Sequence, residues 1–369
     1  MQQWLSREEA LAMLGVRAQT LYAYVSRRLI ERRTDPDDPR RSHYRGEDIL
    51  ALTSRRARGR RRTTIAASAM AWGEPVIRTS ISTVRHGRLI FRGRDAGELA
   101  ETATLEEVAA QLWQQSDMAP FREAEAAPDP FVALAALVAK GRSMLGRSPA
   151  RLVGDANEAV AVLAAAFGGQ GDGPVHERLA RGWSVDARHG DLLRRVLVLL
   201  ADHELNPSTF ATRVAASTGA SLPASLLAGL ATLSGPRHGG AGATLAALLA
   251  ETAAIGTEAA VMRWLAAGHP LPGFGHPLYP HGDPRCAALL AHVTLDPALE
   301  ELRNVVVDAT DAAPNIDFAV LAITRAAALP PDAAFRLFAV ARSVGWAAHA
   351  MEQAASGGVI RPRAIYDPA

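Results

Sequence analysis

Apolar residues at helical spacing dominate this chain of 369 residues. Beyond about residue 94, Ala, Leu and Val recur every three or four positions in ten segments, such as TLEEVAAQLWQ (Thr104–Gln114) and DPFVALAALVAKGRSML (Asp129–Leu145). That period places apolar side chains along one face of a helix, so each segment predicts a helix that packs on others. One exception, ISTVRHGRLIFRG (Ile81–Gly93), alternates apolar and polar residues around a His-Gly turn and predicts a β-hairpin. The expected fold class is therefore mainly α, with a large core.

Basic charge is concentrated at the start of the chain. Residues 1–64 hold fifteen Arg against eight Asp or Glu, a net of +7, although the formal net charge of the whole chain is +2. The run RRARGRRR at 55–62 suits phosphate contacts and a flexible linker. The single cysteine, Cys286, excludes an internal disulfide framework, and neither a signal-peptide layout nor a bilayer-length apolar run is present. We expect a cytoplasmic protein.

Residues 1–54 predict a winged helix-turn-helix domain. Ser6 and Glu9 have the spacing of a capping box and open a helix that Gly15 ends. A second helix over about 17–28, a short extended pair and a helix from about residue 46 follow. This layout resembles the MerR-like helix-turn-helix family, whose wing ends in Tyr-Arg-x-x-Asp, here Tyr44, Arg45 and Asp48.

DNA is the partner that this resemblance implies. We expect three side chains at base edges and three at phosphates: Arg17, Gln19 and Thr20, then Arg27, Arg28 and Arg45. A small helical appendage used for packing or for dimer contact would share the same helical layout, so that alternative stays open.

Four polar motifs lie at predicted helix ends or loops. They are ADHELNPSTF from Ala201, SGPRHGG from Ser234, GFGHPLYPHGDPR from Gly273 and APNIDF from Ala313. Glycine admits backbone angles closed to other residues and proline blocks helix, so these are places where a rigid scaffold can present binding groups. The sequence has no Gly-rich phosphate fingerprint, no metal-ligand cluster and no Gly-x-Ser-x-Gly elbow, which argues against a P-loop enzyme, a zinc hydrolase or a Rossmann dehydrogenase.

In their order along the chain and in their residues, the four motifs resemble those of the citrate synthase family. The family's signatures are Asp-His-Glu-x-Asn-x-Ser-Thr, Gly-Pro-x-His-Gly-Gly, Gly-Phe-Gly-His followed by Asp-Pro-Arg, and Pro-Asn-x-Asp-Phe. The resemblance continues through ARSVGWAAHAMEQ (Ala341–Gln353) and IRPRAIY (Ile360–Tyr366) and back to the hairpin. It implies a body of large and small helical domains over residues 64–369, with the small one at about 225–325. A basic linker, 55–63, would join that body to the first domain.

The resemblance also implies a transferase reaction of the tricarboxylic acid cycle. Acetyl-CoA, oxaloacetate and water would give citrate and CoA, with no metal and no cofactor besides the thioester substrate. Asp317 would be the base, His238 the donor to the enol oxygen of the thioester, and His276 the donor to the oxo group. A carboxylate can take the weakly acidic methyl proton, and two neutral histidines can hold the developing oxyanions.

Further residues are implied to bind the two substrates. The oxaloacetate carboxylates would be held by His203, Arg285, Arg342 and Arg361, the last supplied by the other subunit of a homodimer. Arginine suits this task because its planar fork binds carboxylates and stays charged. The backbone of Gly273, Phe274 and Gly275 would approach CoA. Taken singly, Asp317 could instead cap its helix and Arg342 could satisfy a buried helix end.

Departures from the family pattern leave other functions open. Pro277 and Pro280 stand where active relatives usually have Arg or Lys that meet CoA phosphates, and Gly242 replaces an Asn. One alternative is a 2-methylcitrate synthase. The other is a DNA-binding transcription regulator that uses the same pocket to sense a metabolite, with little turnover.

Overall fold

A computed structural model describes residues 4–16, 21–22, 24–25, 29–35, 38, 41–49, 77–116, 120–127 and 129–364. The chain divides into two compact units, Met1–Ile77 with Arg363–Ala369, and Arg78–Pro362. Helices make up most of the second unit, so the mainly helical fold expected from the apolar spacing is confirmed. Within the described ranges, no helix is long and apolar enough to cross a membrane.

The first unit has a small antiparallel sheet. Its elements are β1 (Trp4–Leu5), α1 (Arg7–Leu14), β2 (Arg32–Thr34) and β3 (Ser42–Arg45), with strand order β1-β3-β2. Ser6 and Glu9 form the predicted capping box, and Gly15 ends α1 in the left-handed conformation. Residues 21–22, 24–25 and 46–49 are also helical. Leu5, Ala10, Leu14, Leu21, Ile30, Tyr44 and Ile49 form its core.

Several predictions for this unit fall outside the described residues. They concern the linker 55–63 and five of the six expected DNA contacts, namely Arg17, Gln19, Thr20, Arg27 and Arg28. The assignment of a winged helix-turn-helix domain therefore stays a prediction.

The second unit opens with the predicted hairpin, which is confirmed. β4 (Ser82–Arg85) and β5 (Arg88–Phe91) pair through a turn at His86 and Gly87, both with positive φ, and β6 (Arg94–Asp95) adds a third strand. A two-residue turn with two positive φ angles matches the twist of the strands it joins.

Helices occupy most of the remaining described residues. They are α2 (Ala96–Thr102), α3 (Leu105–Leu112), α4 (Pro130–Lys140), α5 (Pro149–Ala166), α6 (Val175–Gly182), α7 (Ala187–Leu200), α8 (Pro207–Ser217), α9 (Leu222–Leu233), α10 (Ala241–Ile255), α11 (Thr257–Ala266), α12 (Pro284–Leu290), α13 (Pro297–Thr310), α14 (Ile316–Ala326) and α15 (Ala333–Ser356).

Helix α15 is the centre of the larger apolar core. It packs against α5, α7, α8 and α9, and most of its residues are buried. At Gly345 the backbone N–H donates to Ala201 O over 3.1 Å, and a Cβ on Gly345 would lie 2.4 Å from that oxygen. Only glycine allows this approach, which brings the segment after α7 against α15.

A second apolar cluster is built from α10, α11, α13 and α14. Its buried residues lie between Leu245 and Ala322 and include Leu271 and Phe274. Helix α14 contributes to both cores, because Phe318 faces the second cluster while Val320 faces the first. The predicted bounds of the small domain, 225–325, stay a prediction.

Candidate active site

Two loops from different parts of the chain pair at the edge of the second cluster. Gly275 N donates to Ala313 O over 2.8 Å, and Asn315 N donates to Gly273 O over 2.9 Å. The side chain of Asn315 adds a bond to Gly275 O at 2.9 Å. Both glycines have positive φ, which this loop requires and other residues adopt at a cost. The pairing fixes the backbone directly before His276 in the first loop and directly before α14 in the second.

His276 follows the first of these loops. Its Nδ1 lies 3.1 Å from Leu278 N, which donates to it. Burial, with Arg285 nearby, lowers the pKa of His276 to about 4. The ring is therefore neutral at neutral pH, and because Nδ1 accepts, the proton lies on Nε2. His276 is thus an Nε2–H donor.

Arg285 is held by a bidentate ion pair at the start of α12. Its Nε and Nη2 lie 3.0 and 2.7 Å from the two carboxylate oxygens of Asp283. One of those oxygens also accepts from Ile316 N at 3.1 Å, at the first residue of α14. Burial opposes ionisation of Asp283, but Arg285 holds the pKa of that carboxyl below its usual value. Asp283 therefore joins α12, α14 and the guanidinium.

Asp317 lies in the first turn of α14. Its backbone N–H donates to Asn315 Oδ1 at 3.0 Å, so Asn315, and not Asp317, caps the helix. Burial raises the pKa of Asp317 to about 6, although the nearby Arg285 and Arg342 act in the opposite direction. At neutral pH the group is an ionised carboxylate with the basicity that proton abstraction needs.

His203 lies in the segment between α7 and α8 and is buried. Its Nε2 is 2.9 Å from Tyr279 Oη, and its ring centroid is 5.1 Å from that of His276. Burial, followed by the cations Arg285 and Arg342, lowers the pKa of His203 well below its usual value. The segment between α7 and α8, the start of α12 and the Gly273 loop thus contribute side chains to one site.

His238 lies in the turn before α10. Its Nε2 is 2.8 Å from Ser208 Oγ, and burial, with Arg342 nearby, lowers its pKa to about 4. The Ser208 hydroxyl also lies 2.7 Å from Asn206 Oδ1 and accepts from Trp346 Nε1 at 3.2 Å. The single hydroxyl hydrogen of Ser208 therefore has two acceptors within reach, Asn206 Oδ1 and His238 Nε2. The acceptor that receives it decides which ring nitrogen of His238 carries a proton.

Arg342 is buried on α15, and Nε donates to Leu200 O at 2.8 Å. Burial lowers its pKa to about 10, against the opposing effect of Asp202, so the group stays charged at neutral pH. Among the described residues, its Nη1 and Nη2 make no hydrogen bond, and they are free for an anionic ligand.

A buried network fixes the segment that carries His203. Asp202 Oδ2 contacts Ser82 Oγ and His349 Nε2, the latter at 3.2 Å. Arg213 Nη1 lies 2.9 Å from His349 Nδ1 and 2.7 Å from Glu352 Oε2. Because arginine only donates, His349 Nδ1 accepts and its proton points to Asp202.

Within the second unit, Arg361 and the ring of Phe274 do not join the other predicted site residues, and Arg45 belongs to the separate DNA-binding prediction for the first unit. Arg361 is exposed in the segment after α15, and none of the described contacts ties it to the site within its own chain. The ring of Phe274 packs edge-on against Phe318 at 5.3 Å, in the second apolar cluster. In the first unit, Arg45 forms ion pairs with Glu31 and Glu47 at 3.1 and 2.9 Å.

Sequence reasoning missed Tyr279, Asp283, Ser208 and Asp202, although all four lie inside the motifs that it singled out. A cavity of about 220 Å³ adjoins the site, lined by both paired loops and by His276, Tyr279 and Asp283. Over the described parts of the chain, no group of three or more His, Cys, Asp or Glu could hold a metal ion.

Comparison with known proteins identifies the family. The family model "Citrate synthase, C-terminal domain" matches residues 132–363, more than half of the chain. The chain therefore belongs to the citrate synthase family. It is 33% identical over 187 residues to citrate synthase 2 of Bacillus subtilis (strain 168), covering 48% of this chain and 50% of that protein.

Other similar proteins are also citrate synthases or putative citrate synthases. The chain is 35% identical over 195 residues to a putative citrate synthase 2 of Mycobacterium tuberculosis H37Rv, covering 49% of this chain and 52% of that protein. It thus spans about half the length of the curated relatives it matches. The Thermotoga maritima citrate synthase structure aligns with a TM-score of 0.69 at 25% identity, over 82% of this chain and 96% of that one.

A further structure supports the fold alone. The citrate synthase of Thermoplasma acidophilum, solved with carboxymethyl coenzyme A and oxaloacetate, aligns with a TM-score of 0.67 at 22% identity. The alignment covers 80% of this chain and 95% of that one.

Proposed function

We propose that the second unit condenses an acyl-CoA thioester with oxaloacetate, acetyl-CoA giving citrate and CoA. The observation that carries the proposal is a carboxylate of raised pKa, Asp317, in one site with two histidines of depressed pKa, His238 and His276. Such a set provides a base and two neutral donors at the same pH, which enolate chemistry requires. Arg285, Arg342 and His203 bind the oxaloacetate carboxylates.

The first step is proton transfer. Asp317 takes a proton from the methyl carbon of the thioester, and His238 donates a hydrogen bond to the oxygen that becomes the enolate. For that donation the proton of His238 must lie on Nδ1, since Nε2 faces Ser208 at 2.8 Å. Ser208 therefore donates to His238 during the reaction, and not to Asn206.

Carbon–carbon bond formation follows. The enolate carbon attacks the oxo carbon of oxaloacetate, whose oxygen receives a hydrogen bond and then the proton from His276 Nε2. The proton that Asp317 took from the methyl carbon is released to solvent and His276 takes one back from solvent, so both groups return to their starting states. Water then adds to the thioester carbonyl, the carbon–sulfur bond breaks, and citrate and CoA are released. Acetyl-CoA, oxaloacetate and water balance against these two products, so no further cofactor is required.

Release of the CoA thiol tests the activity directly. The full chain is mixed with oxaloacetate and either acetyl-CoA or propionyl-CoA, and the thiol is titrated with time. Faster turnover of the acetyl thioester supports a citrate synthase, and faster turnover of the propionyl thioester favours a 2-methylcitrate synthase. Oxaloacetate binding without turnover of either thioester would contradict the proposal and favour a metabolite-sensing regulator.

Arg361 supports a shared site in a homodimer. Its exposure within its own chain fits a residue that completes the site of a second copy. Arg361→Ala and His276→Ala proteins, mixed under conditions of subunit exchange, should recover part of the activity, because one composite site regains both residues. Absence of recovery despite verified exchange would contradict the shared site.

DNA binding by the first unit is a second candidate function. Its support is the β2 strand, where Arg32 and Arg33 are exposed, together with the net charge of +7 over residues 1–64. Arg45 would have to leave Glu31 and Glu47 to reach a phosphate. Titration of the full chain onto its own upstream DNA at two salt concentrations, with and without oxaloacetate, tests this function. Salt-sensitive binding without sequence preference would reduce it to attraction between arginines and phosphate.

A further inference from the structure

Tyr279 lies at the centre of the candidate active site, and the reaction proposed above assigns it no role. Its hydroxyl is 2.9 Å from His203 Nε2, and its ring centroid is 5.0 Å from that of His276. The guanidinium carbon of Arg285 lies 5.2 Å from the same ring centroid. The residue is only 3% exposed. One buried side chain thus contacts three groups assigned to the oxo acid.

The hydroxyl and the imidazole share two polar hydrogens. Burial raises the pKa of Tyr279 to about 12, and burial lowers that of His203 well below its usual value, so both are neutral. A neutral imidazole has one N–H and one acceptor nitrogen, and a phenol has one O–H. Whichever group donates, one hydrogen lies in the bond between them. The pair therefore has one remaining donor, which is His203 Nδ1–H when Tyr279 donates and the Tyr279 hydroxyl when His203 donates.

The ring acts on Arg285. Asp283 already engages Nε and Nη2 of the guanidinium, and the Tyr279 ring lies within the range of a cation–π contact. The carboxylate and the ring together restrict the guanidinium, so Nη1 has a defined direction. Loss of the ring would leave only the ion pair to orient the cation.

We propose that Tyr279 is a positioning residue for the oxo acid, whose hydroxyl orients His203 and whose ring orients Arg285. This inference rests on the proposed function, because it takes the oxaloacetate carboxylates as the groups that His203 and Arg285 bind. It predicts that the hydroxyl and the ring contribute separately to oxaloacetate binding and little to binding of the thioester.

Two substitutions separate the two parts. Tyr279→Phe removes the hydroxyl and keeps the ring, and Tyr279→Leu removes both. Tyr44→Phe, at a buried tyrosine of the first unit, is the matched control. For each protein the oxaloacetate Kd is measured by calorimetry without thioester, together with the KM for each substrate and the melting temperature.

Loss of one hydrogen bond predicts an oxaloacetate Kd and KM about tenfold higher in Tyr279→Phe, with KM for acetyl-CoA unchanged and the melting temperature only slightly lower, because the bond to the buried His203 is lost. Tyr279→Leu should weaken oxaloacetate binding further, and Tyr44→Phe should have the wild-type Kd and KM values. A wild-type Kd in Tyr279→Phe overturns the proposal. So does an equal rise in both KM values with a lower melting temperature, which indicates general disruption. A wild-type protein that neither binds nor turns over oxaloacetate overturns the proposed function itself.

Discussion

The segments that carry His203 and His276 are held in place in different ways. The first is fixed by buried charge, since Asp202 contacts Ser82 and His349 and is fully buried. The second is fixed by backbone pairing between the loops at Gly273 and Ala313, and by glycines in left-handed conformations.

This difference separates stability from chemistry. Removal of a member of a buried charged network leaves other charges without partners, which destabilises the fold. The loop side instead carries Asp317 and His276, whose substitution leaves the backbone pairing intact. We therefore expect loop-side variants to lose activity while they stay folded, and variants in the buried network to lose stability.

The largest effect is expected at Asp317. Asp317→Asn keeps the size of the side chain but cannot accept the methyl proton, so kcat should fall about 10³-fold, within the range for general base catalysis. Oxaloacetate affinity should stay close to the wild-type value. Initial rates of thiol release and calorimetry of oxaloacetate binding measure the two quantities. Asp308→Asn, at an exposed carboxylate on α13, is the control and should keep full activity.

The pH dependence sharpens the same prediction. Because burial raises the pKa of Asp317 to about 6, its ionised form is disfavoured in the fold, and its contribution to stability becomes more favourable as the pH falls through 6. Asp317→Asn should therefore be as stable as the wild type at pH 8, or more stable. The acid limb of kcat/KM should lie near pH 6, because His238 and His276 stay neutral down to about 4. A limb near pH 4 would contradict Asp317 as the base.

The next effect is expected at Asp202, on the buried side. Asp202→Ala removes the acceptor of Ser82 and His349 and the anion that faces Arg342, so we expect a loss of about 3–5 kcal/mol in the free energy of unfolding. Urea unfolding monitored by tryptophan fluorescence measures it. Asp172→Ala, at a fully exposed carboxylate, should leave the midpoint unchanged. A midpoint shared by both variants would contradict a stabilising role of the network.

A smaller effect is expected at Ser208, which contacts His238. Ser208→Ala removes the hydroxyl that faces His238 Nε2, so the proton of His238 is no longer directed to Nδ1. A fall in kcat of about tenfold to a hundredfold is expected, one to two hydrogen-bond energies, with unchanged oxaloacetate affinity. Ser116→Ala, at an exposed serine, is the control. Equal kcat values for the two variants would show that Ser208 does not orient His238.

The smallest effect compares two loop glycines. Gly275→Ala meets no atom closer than 4.0 Å, so its cost is the left-handed backbone alone, about 1 kcal/mol. At Gly273 a Cβ would lie 2.7 Å from Leu245 Cδ2, and Gly273→Ala should lower the melting temperature more. Scanning calorimetry ranks the two variants. The reverse order would mean that the loop moves away from Leu245.

The sequence alone determined the local structure and the site motifs. Apolar spacing predicted most of the helices, although the segment after Lys140 was wrongly included in α4, which ends there. Helices α2, α6, α8 and α13 were missed. In α6 (VHERLARG) and α13 (PALEELRNVVVDAT), charged residues interrupt the apolar pattern. The capping box at Ser6 and the His86–Gly87 turn were correct because caps and turns depend on neighbouring residues.

Tertiary structure alone decided which side chains meet. Nothing in the spacing of GFGHPLYPHGDPR places the hydroxyl of Tyr279 on His203, 76 residues away, or Asp283 against the first turn of α14. From the sequence alone, Gly345 is expected only to destabilise its helix. The structure shows that its backbone N–H donates to Ala201 O. Local sequence sets backbone conformation because its energies act over a few residues, whereas the pKa values of Asp317 and the histidines arise from burial and charges brought together by folding.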